Sequence, residues 1–371
     1  MSMTDGFVPP PYPYDRLDAF KAAGARLEGG LVDLSIGTPC DPPPRSVIET
    51  LGSSGAERSY PPSIGSLPLR EAFARWAARR FGVDLGPEQI AACVGSKEFV
   101  VTLPQWMHLR SPSRDTVLYP AISYPSYEMG AILAGCRAVA VPCDEAGRVI
   151  LDAVSESDAE RALLLWVNSP SNPSGALDDL GAAASWGRSR GVPVVSDECY
   201  AEFTWSGEPR SILQHGTDGV LAVHSLSKRS NLAGLRVGAY AGDTELVSYL
   251  SEVRKHVGMM VPGPAQAAAV VALDDDAHVV EQRRLYAERL DTMARVLSDW
   301  SDVDIARPEG GFYLWYRVGD AWAYAERLAA VGGALVSPGE FYGPQSADFV
   351  RVAVVQPNDR IDLVARRLGG S

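Results

Sequence analysis

The sequence predicts an α/β protein that has a large domain, with a mostly parallel central sheet between helices, and a smaller α+β domain. Two observations indicate this class. Short apolar runs (TVLYP, RALLLWVNSP, VPVVSDE and GVLAVHS) alternate with stretches long enough for helices, as in the βαβ units of a parallel sheet. Near residue 275 the alternation gives way to a long charged amphipathic stretch, which the strand-like runs GGFYLWYRV and DFVRVAVV follow.

The 371 residues divide into three predicted segments. Residues 1–40 form an N-terminal arm and part of the small domain, residues 41–275 the large domain, and residues 276–371 the small C-terminal domain. The proline-rich first segment predicts extended chain around a short helix near Leu17–Ala25. Within the large domain, Leu69, Phe73 and Trp76 recur on one face of a predicted helix, and ALDDLGAAASWGRSRG predicts another that ends before Gly191.

Composition excludes several classes of function. The net charge of −12 and the pI near 5.0 argue against a nucleic-acid partner. The N-terminus lacks the pattern of a signal peptide, and no run of 18 apolar residues predicts a membrane span. Scattered histidines predict no metal site, and five widely spaced cysteines predict reduced thiols and a cytoplasmic location: Cys40, Cys93, Cys136, Cys143 and Cys199.

Polar side chains follow three successive strands of the predicted sheet. One apolar run leads into Asn172, the next ends at Asp197 with Tyr200 three residues later, and the third leads to Lys228. Ligands of open parallel sheets bind at the carboxyl ends of strands. A lone lysine after a strand is usually a solvent-exposed residue with no function beyond ending the strand. Here the amine arrives with an amide, a carboxylate and a phenol at equivalent positions, which indicates a site.

Motifs along nearly the whole chain carry a resemblance to a known family. They are Tyr60 with GSLPLREA, GSKE at 95–98, YPSY at 124–127, NSPSNPSG, SDECY, SLSKRSNLAGLRVG and VRVAV at 350–354. In their order and spacing the chain resembles the fold-type-I pyridoxal-phosphate aminotransferases of classes I and II. The resemblance implies that pyridoxal 5′-phosphate is the cofactor and that the large domain binds it.

The resemblance assigns the reacting groups of the cofactor site. Lys228 would condense with the cofactor aldehyde and then, as a free amine, move a proton between substrate and cofactor. Asp197 would pair with the pyridine nitrogen and keep it protonated. Asn172 and Tyr200 would donate hydrogen bonds to the 3′ oxygen of the ring. Tyr124 would stack on the ring face.

The resemblance also assigns a phosphate site and a dimer. The phosphate would be held by hydroxyl, backbone amide and guanidinium donors from Ser96, Lys97, Ser225, Ser227 and Arg236. We expect Lys97 to contribute its backbone amide and to leave its side chain free. Tyr60 resembles the tyrosine that reaches the phosphate from the neighbouring subunit, which implies a homodimer.

Substrate binding is implied for three residues. Arg351 matches the arginine that binds the substrate α-carboxylate, although an arginine on a surface strand is the plain alternative. Asn172 would assist it. Gly37 matches the glycine whose backbone lies close to that carboxylate. The glycines of GGFYLWY are interpreted as structural, opening a buried strand.

Within the superfamily the chain most resembles actinobacterial succinyldiaminopimelate aminotransferases, which act in lysine and diaminopimelate biosynthesis. The implied reaction exchanges an amino group between N-succinyldiaminopimelate and 2-oxoglutarate, with glutamate as donor in the other direction. Such anionic substrates require a second cation, for which Arg254, Lys255 and Arg16 are candidates, each more simply interpreted as a surface charge. One departure is Leu235, where the family has an aromatic residue.

Other functions stay open at this point. A different class I/II aminotransferase or a carbon–sulfur lyase could use the same cofactor site, and a cofactor-binding regulator is a non-catalytic alternative. The complete set of reactive residues argues against the regulator. A nicotinamide oxidoreductase is disfavoured because no GxGxxG motif follows a strand.

Overall fold

The computed structural model describes residues 6–369 of the chain. The strands are β1 Val32–Asp33, β2 Ile90–Cys93, β3 Thr116–Pro120, β4 Arg137–Val141, β5 Ala162–Asn168, β6 Val194–Asp197, β7 Val220–Ser225, β8 Gly238–Gly242, β9 Tyr313–Arg317, β10 Ala334–Leu335, β11 Ser337–Pro338 and β12 Phe349–Ala353. The helices are α1 Asp18–Gly24, α2 Arg45–Ser53, α3 Leu67–Phe81, α4 Ser96–Arg110, α5 Ser126–Leu133, α6 Glu156–Arg161, α7 Leu180–Arg190, α8 Leu226–Arg229, α9 Thr244–Val257, α10 Gly263–Asp274, α11 Ala277–Ser301, α12 Ala321–Gly332 and α13 Asn358–Arg367.

A seven-stranded sheet in the order β2-β8-β7-β6-β5-β3-β4 forms the centre of the molecule. Strands β3 to β7 pair in parallel, and β8 runs antiparallel to both of its neighbours. The carboxyl ends of β5, β6 and β7 therefore lie side by side at one edge of the sheet. This edge carries the polar residues that the sequence placed after these strands.

Helices cover both faces of this sheet, which explains why its strands are almost continuously apolar. Leu165 and Val167 of β5 pack into a core with α3, α7 and α10 on one face. Leu164 and Trp166 pack into a core with α4, α5 and α9 on the other face. Alternate side chains of a strand point to opposite faces, so a strand buried on both sides needs apolar residues throughout.

Two smaller sheets lie outside the central one. Strands β11, β12 and β9 form an antiparallel sheet, and the short β1 pairs in parallel with β10. Their core is shared with α11, α12 and α13. Because β1 comes from residues 32–33, the N-terminal segment contributes a strand to this unit.

The predicted fold class, α/β with a mostly parallel central sheet, is confirmed. The helix near Leu17–Ala25 is present as α1, and the helices around Trp76 and before Gly191 are α3 and α7. The long amphipathic stretch is α11, with 25 residues. The proposed domain boundaries at residues 40 and 275 stay a prediction.

Candidate active site

A cavity of about 230 Å³ opens at the carboxyl edge of the central sheet. Every residue that the sequence proposed for the site lines it except Tyr60: Gly37, Ser96, Lys97, Tyr124, Asn172, Asp197, Tyr200, Ser225, Ser227, Lys228, Arg236 and Arg351. The Tyr60 side chain is instead 94% exposed on the surface of the protomer. Residues of both the large sheet and the β9–β12 sheet therefore meet at one cavity.

Lys228 lies on the short helix α8, directly after β7. The Ser225 hydroxyl begins this turn by accepting a hydrogen bond from the backbone N–H of Ser227 at 3.2 Å. The Lys228 ammonium donates to the backbone carbonyl of Gly37. Burial lowers the pKa of Lys228 to about 8, because desolvation disfavours the charged amine. The amine therefore releases its proton, and becomes nucleophilic, at a pH much nearer to neutral than an exposed lysine does.

Gly37 is required where it stands. A Cβ atom at this position would lie 2.0 Å from the hydroxyl oxygen of Tyr313, which is shorter than a van der Waals contact between carbon and oxygen. The absence of a side chain therefore lets this segment, whose carbonyl accepts from Lys228, pack against the Tyr313 hydroxyl.

Asp197 ends β6 and is buried within the cavity wall. One carboxylate oxygen accepts a hydrogen bond from the Tyr127 hydroxyl at 2.9 Å, and the other accepts from the backbone N–H of Cys199 at 3.2 Å. Burial raises the pKa of the Asp197 carboxyl, and these two hydrogen bonds and the Lys228 charge oppose that shift. The site thus holds a buried carboxylate whose ionised form a further cation would stabilise.

A candidate anion site lies at the N-terminus of α4. Gly95 precedes the helix with φ +78°, and a Cβ atom there would lie 2.2 Å from the Arg236 guanidinium. That guanidinium donates to the carbonyls of Val94 at 3.3 Å and Ala233 at 2.9 Å. Within residues 6–369 no carboxylate lies within 4.0 Å of it. An unpaired cation beside free helix N–H groups, with the Ser96 hydroxyl next to it, suits a phosphate.

Arg351 extends from β12 into the cavity and is 1% exposed. Its guanidinium donates to Asn172 Oδ1 at 2.7 Å, to the Tyr14 hydroxyl at 3.4 Å and to the backbone carbonyl of Ser35. All three acceptors are neutral, and among the described residues no carboxylate pairs with this buried cation. Because burying an unpaired charge is costly, the arrangement favours an anionic ligand.

Aromatic rings enclose the Arg351 guanidinium. It lies 4.2 Å from the ring centre of Tyr313 and 4.7 Å from that of Tyr342. The Tyr313 hydroxyl is 2.9 Å from the Tyr200 hydroxyl. Tyr200, which follows β6 of the central sheet, therefore contacts β9 of the antiparallel sheet. Tyr313 and Tyr127 were not recognised as site residues from the sequence. The YPSY and GGFYLWY runs contained them, but no spacing rule identifies their partners.

The expectation that the Lys97 side chain is free was wrong. Its ammonium donates to the Tyr124 hydroxyl at 3.2 Å and lies 5.4 Å from the ring centres of Tyr12 and Tyr124. The reason is that Tyr124, shortly after β3, places its hydroxyl within reach of this ammonium, and the N-terminal arm adds the Tyr12 ring. Tyr124 lines the cavity, but its hydroxyl is engaged by this lysine.

The candidate second cations all have acidic partners. Arg254 is buried in a two-point ion pair with Glu98, at 2.7 and 2.8 Å, so interpreting it as a surface charge was wrong. Arg16 pairs with Glu340 at 2.5 Å. Lys255 is exposed on α9 and lies 3.5 Å from an acid of its own helix.

Leu235, the departure from the family pattern, packs against the large core. Its neighbours Ala233 and Arg236 line the cavity, whereas Leu235 does not.

The donor set of this cavity fits pyridoxal phosphate. A partly neutral lysine amine, a buried carboxylate and an unpaired arginine at a helix N-terminus match an aldehyde, a pyridine nitrogen and a phosphate, respectively. The fold and the site together define a pyridoxal-phosphate-dependent enzyme of fold type I.

The chain belongs to the class I and II aminotransferase family, whose sequence profile, "Aminotransferase class I and II", matches residues 30–368. It is 40% identical over 368 residues to the 4-dedimethylamino-4-oxo-anhydrotetracycline transaminase OxyQ of Streptomyces rimosus, covering 97% of this chain and 99% of that protein. It is 33% identical to the LL-diaminopimelate aminotransferase of Aquifex aeolicus, covering 97% and 96%. A solved structure of a probable N-succinyldiaminopimelate aminotransferase from Thermus thermophilus superposes with a TM-score of 0.86 and 31% identity, covering 96% and 99%. The protein is therefore a pyridoxal-phosphate-dependent transaminase.

Two further observations concern location and metals. Among residues 6–369, no helix combines the length and the apolar character that crossing a membrane requires. In the same residues, no three His, Cys, Asp or Glu side chains are grouped so that they could hold a metal ion.

Proposed function

We propose that this transaminase transfers an amino group between N-succinyldiaminopimelate and 2-oxoglutarate, with glutamate as the amino donor in the opposite direction. The observation that supports amino-acid and oxo-acid substrates is the buried Arg351 guanidinium, which could bind their α-carboxylate. Its hydrogen-bond acceptors are all neutral, and it lies in the same cavity as Lys228. The relatives that act on diaminopimelate derivatives support the choice of substrate.

Lys228 acts first as nucleophile and then as base. When bound, the cofactor supplies an aldehyde that bonds to amines and a ring that accepts the electrons left when a proton leaves the substrate Cα. The pKa of about 8 leaves the Lys228 amine able to take up a proton near neutral pH. Its hydrogen bond to the Gly37 carbonyl fixes the position of the amine in the cavity that Arg351 also lines.

Asp197 would make the pyridine ring of the cofactor a better electron acceptor. Its carboxylate, held by Tyr127 and the Cys199 N–H, would pair with the ring nitrogen and keep that nitrogen protonated. Tyr200 and Asn172 would donate hydrogen bonds to the 3′ oxygen. Asn172 also accepts from Arg351, so it links the cofactor position to the substrate position.

The phosphate would lie against the N-terminus of α4. Arg236 supplies the positive charge there, and the backbone N–H groups of Ser96 and Lys97 supply donors. Ser225 and Ser227 add hydroxyl groups from the turn that carries Lys228. These residues would hold the phosphate independently of Lys228.

A homodimer would complete the site. Tyr60 is 94% exposed and would reach the phosphate bound by the partner subunit. Mixing Tyr60→Phe chains with Lys228→Ala chains should form hybrid dimers that have one native site. Partial recovery of activity supports this arrangement, and an active monomer in ultracentrifugation would exclude it.

Two experiments test the proposed function. Borohydride treatment of the cofactor-loaded protein, followed by peptide mass spectrometry, should find the cofactor on Lys228. The second compares N-succinyldiaminopimelate, free diaminopimelate, ornithine and aspartate as donors to 2-oxoglutarate. We expect the succinylated compound to have the highest kcat/KM. Loss of its succinyl group should cost about 10- to 100-fold, the value of one hydrogen bond to a charged group. A tenfold preference for aspartate would refute the assignment.

A further inference from the structure

Glu98 is the third residue of α4, and its side chain turns back to the chain that precedes the helix. The helix cap is Gly95, which has no side chain to accept from the first N–H groups of the helix. The Glu98 carboxylate instead accepts from the backbone N–H of Val94 at 3.0 Å. Within residues 6–369, no side chain accepts from the N–H groups of Ser96 or Lys97. The turn is therefore closed by Glu98, and the first donors of the helix stay open to a ligand.

Arg254 holds the Glu98 carboxylate from the neighbouring helix α9. It is 0% exposed, and its guanidinium donates to the two carboxylate oxygens at 2.7 and 2.8 Å. The Thr102 hydroxyl donates to one of these oxygens at 3.0 Å. Although burial alone would raise it, the hydrogen bonds and the charge of Arg254 keep the pKa of the Glu98 carboxyl below its usual value. The carboxylate is thus ionised and fixed in position.

This ion pair lies against aromatic side chains of the core. The rings of Phe99 and Tyr240 stack at 4.4 Å, and each ring centre lies 5.8 Å from the Arg254 guanidinium. Among the described residues, no acceptor binds the Nε of Arg254. Removing two charges from water costs about as much as their attraction returns, so apolar side chains of similar size could serve stability equally well. Stability alone does not explain the pair, which indicates a role in the site nearby.

Val94 connects this pair to the proposed phosphate site. Its N–H donates to Glu98, and its carbonyl accepts from the Arg236 guanidinium at 3.3 Å. That guanidinium passes so close to Gly95 that a Cβ atom there would lie 2.2 Å from it. A shift of Val94 would therefore displace the partner of Arg236 and the beginning of α4 together. Neither Arg254 nor Glu98 lines the cavity, so their effect on a ligand there would pass through Val94.

The charge of Arg254 has a second consequence for an anion at this helix end. An acid in the first turn of a helix interacts with the partial positive charge that a phosphate would otherwise meet, and it also repels the phosphate. The two-point pair with Arg254 offsets the negative charge of Glu98. Glu98 can therefore hold the turn without opposing the binding of the phosphate.

We infer that Arg254 and Glu98 are positioning residues for the cofactor phosphate. They hold the turn at Val94 so that Arg236 and the first N–H groups of α4 face the same anion. Neither residue would touch the cofactor itself. The inference rests on the proposed function in one respect, because it assumes that the phosphate lies at the N-terminus of α4.

Two ligands that differ in the phosphate group test this role without turnover. Pyridoxal 5′-phosphate and pyridoxal are titrated into the cofactor-free protein, and fluorescence gives both dissociation constants. Replacing Arg254 alone would leave a carboxylate unpaired in the core and endanger the fold. The double variant Glu98→Met with Arg254→Met removes both charges and keeps side chains of similar length. It should bind pyridoxal 5′-phosphate about tenfold more weakly, the value of one hydrogen bond to a charged group, and bind pyridoxal as the wild type does.

A second variant and a control keep the test specific. Glu98→Gln keeps an acceptor for the Val94 N–H but loses the charge, so it should show a smaller loss that is confined to pyridoxal 5′-phosphate. The matched control removes another buried two-point ion pair, Arg289 with Asp41 at 2.6 and 2.8 Å, neither of which lines the cavity. Arg289→Met with Asp41→Leu should leave the ratio of the two dissociation constants unchanged.

The inference is overturned if the double variant keeps the wild-type ratio, if it weakens both ligands equally, or if the control changes the ratio as much. Arg236→Met provides the reference for the phosphate site and should lower the affinity for pyridoxal 5′-phosphate alone. If Arg236→Met keeps the wild-type ratio, the proposed phosphate site fails and the inference fails with it. If the ratio changes as expected but N-succinyldiaminopimelate is not a substrate, the proposed function fails and the positioning role stands.

Discussion

Replacing Lys228 with methionine should stabilise the cofactor-free protein, and by an amount that depends on pH. The lysine amine is buried in the cavity, and this burial lowers its pKa from 10.5 to about 8. Below pH 8 the folded protein carries the desolvated ammonium and bears its full cost. As the pH rises from 8 to 10.5, the folded protein has lost the proton while the unfolded chain still binds it. Wild-type stability should therefore rise with pH across this window.

The magnitude follows from the two pKa values. Their difference of about 2.5 corresponds to about 3.4 kcal/mol between the protonation states. Linkage gives a cost of about 3.4 kcal/mol at pH 7 and about 0.8 kcal/mol at pH 10. The difference in unfolding free energy between Lys228→Met and wild type should thus shrink by about 2.5 kcal/mol from pH 7 to pH 10. Contributions from titrating groups that do not interact with the Lys228 charge are common to both proteins and cancel.

Urea unfolding at fixed protomer concentration measures these free energies, since association would otherwise change them. Lys255→Met serves as the control, because it makes the same replacement at an exposed site on α9. If the advantage of Lys228→Met is the same at pH 7 and pH 10, the amine is not desolvated as described, and its role as a base near neutral pH loses this support.

Three further changes have defined outcomes. Asp197→Asn should keep the fold but lower kcat by roughly 10² to 10⁴, because the amide cannot keep the ring nitrogen protonated; a rate within threefold of wild type would remove Asp197 from that role. Tyr127→Phe removes the 2.9 Å hydrogen bond to Asp197, so the pH titration of the bound cofactor's absorbance should shift, whereas an unchanged titration would make this tyrosine purely structural. Gly95→Ala should raise the cofactor dissociation constant about tenfold or more, because the new Cβ displaces the Arg236 guanidinium and strains a φ of +78°. Native affinity measured by fluorescence titration would contradict that.

The large sheet and the candidate site residues at its edge could be predicted because they depend on patterns within short segments of the sequence. Residues at the ends of consecutive parallel strands must lie along one edge, so Asp197 and Lys228 were brought together by strand order alone. The glycine and serine that open α4 came from the family resemblance instead, and a helix N-terminus is the local feature that suits a phosphate.

Contacts between distant segments were not predictable in this way. Tyr200 meets Tyr313 over 113 residues of chain, and no period or motif encodes that contact. Arg254 was misjudged because its burial depends on Glu98, which lies 156 residues earlier. The Lys97 side chain was misjudged because its partners, Tyr124 and Tyr12, come from two segments that are distant from it along the chain.

The proposed cofactor residues and the proposed substrate residue Arg351 are far apart along the chain, which affects the order in which the two sites can form during synthesis. The residues proposed for the cofactor in one protomer lie between Ser96 and Arg236, and the strands of the central sheet are complete at Gly242. The proposed site for the substrate carboxylate instead depends on Arg351, near the C-terminus, which donates to Tyr14, Ser35 and Asn172. On the ribosome, the cofactor pocket can therefore assemble more than a hundred residues before Arg351 is synthesised. A nascent or C-terminally truncated chain should take up cofactor yet be unable to hold an amino acid.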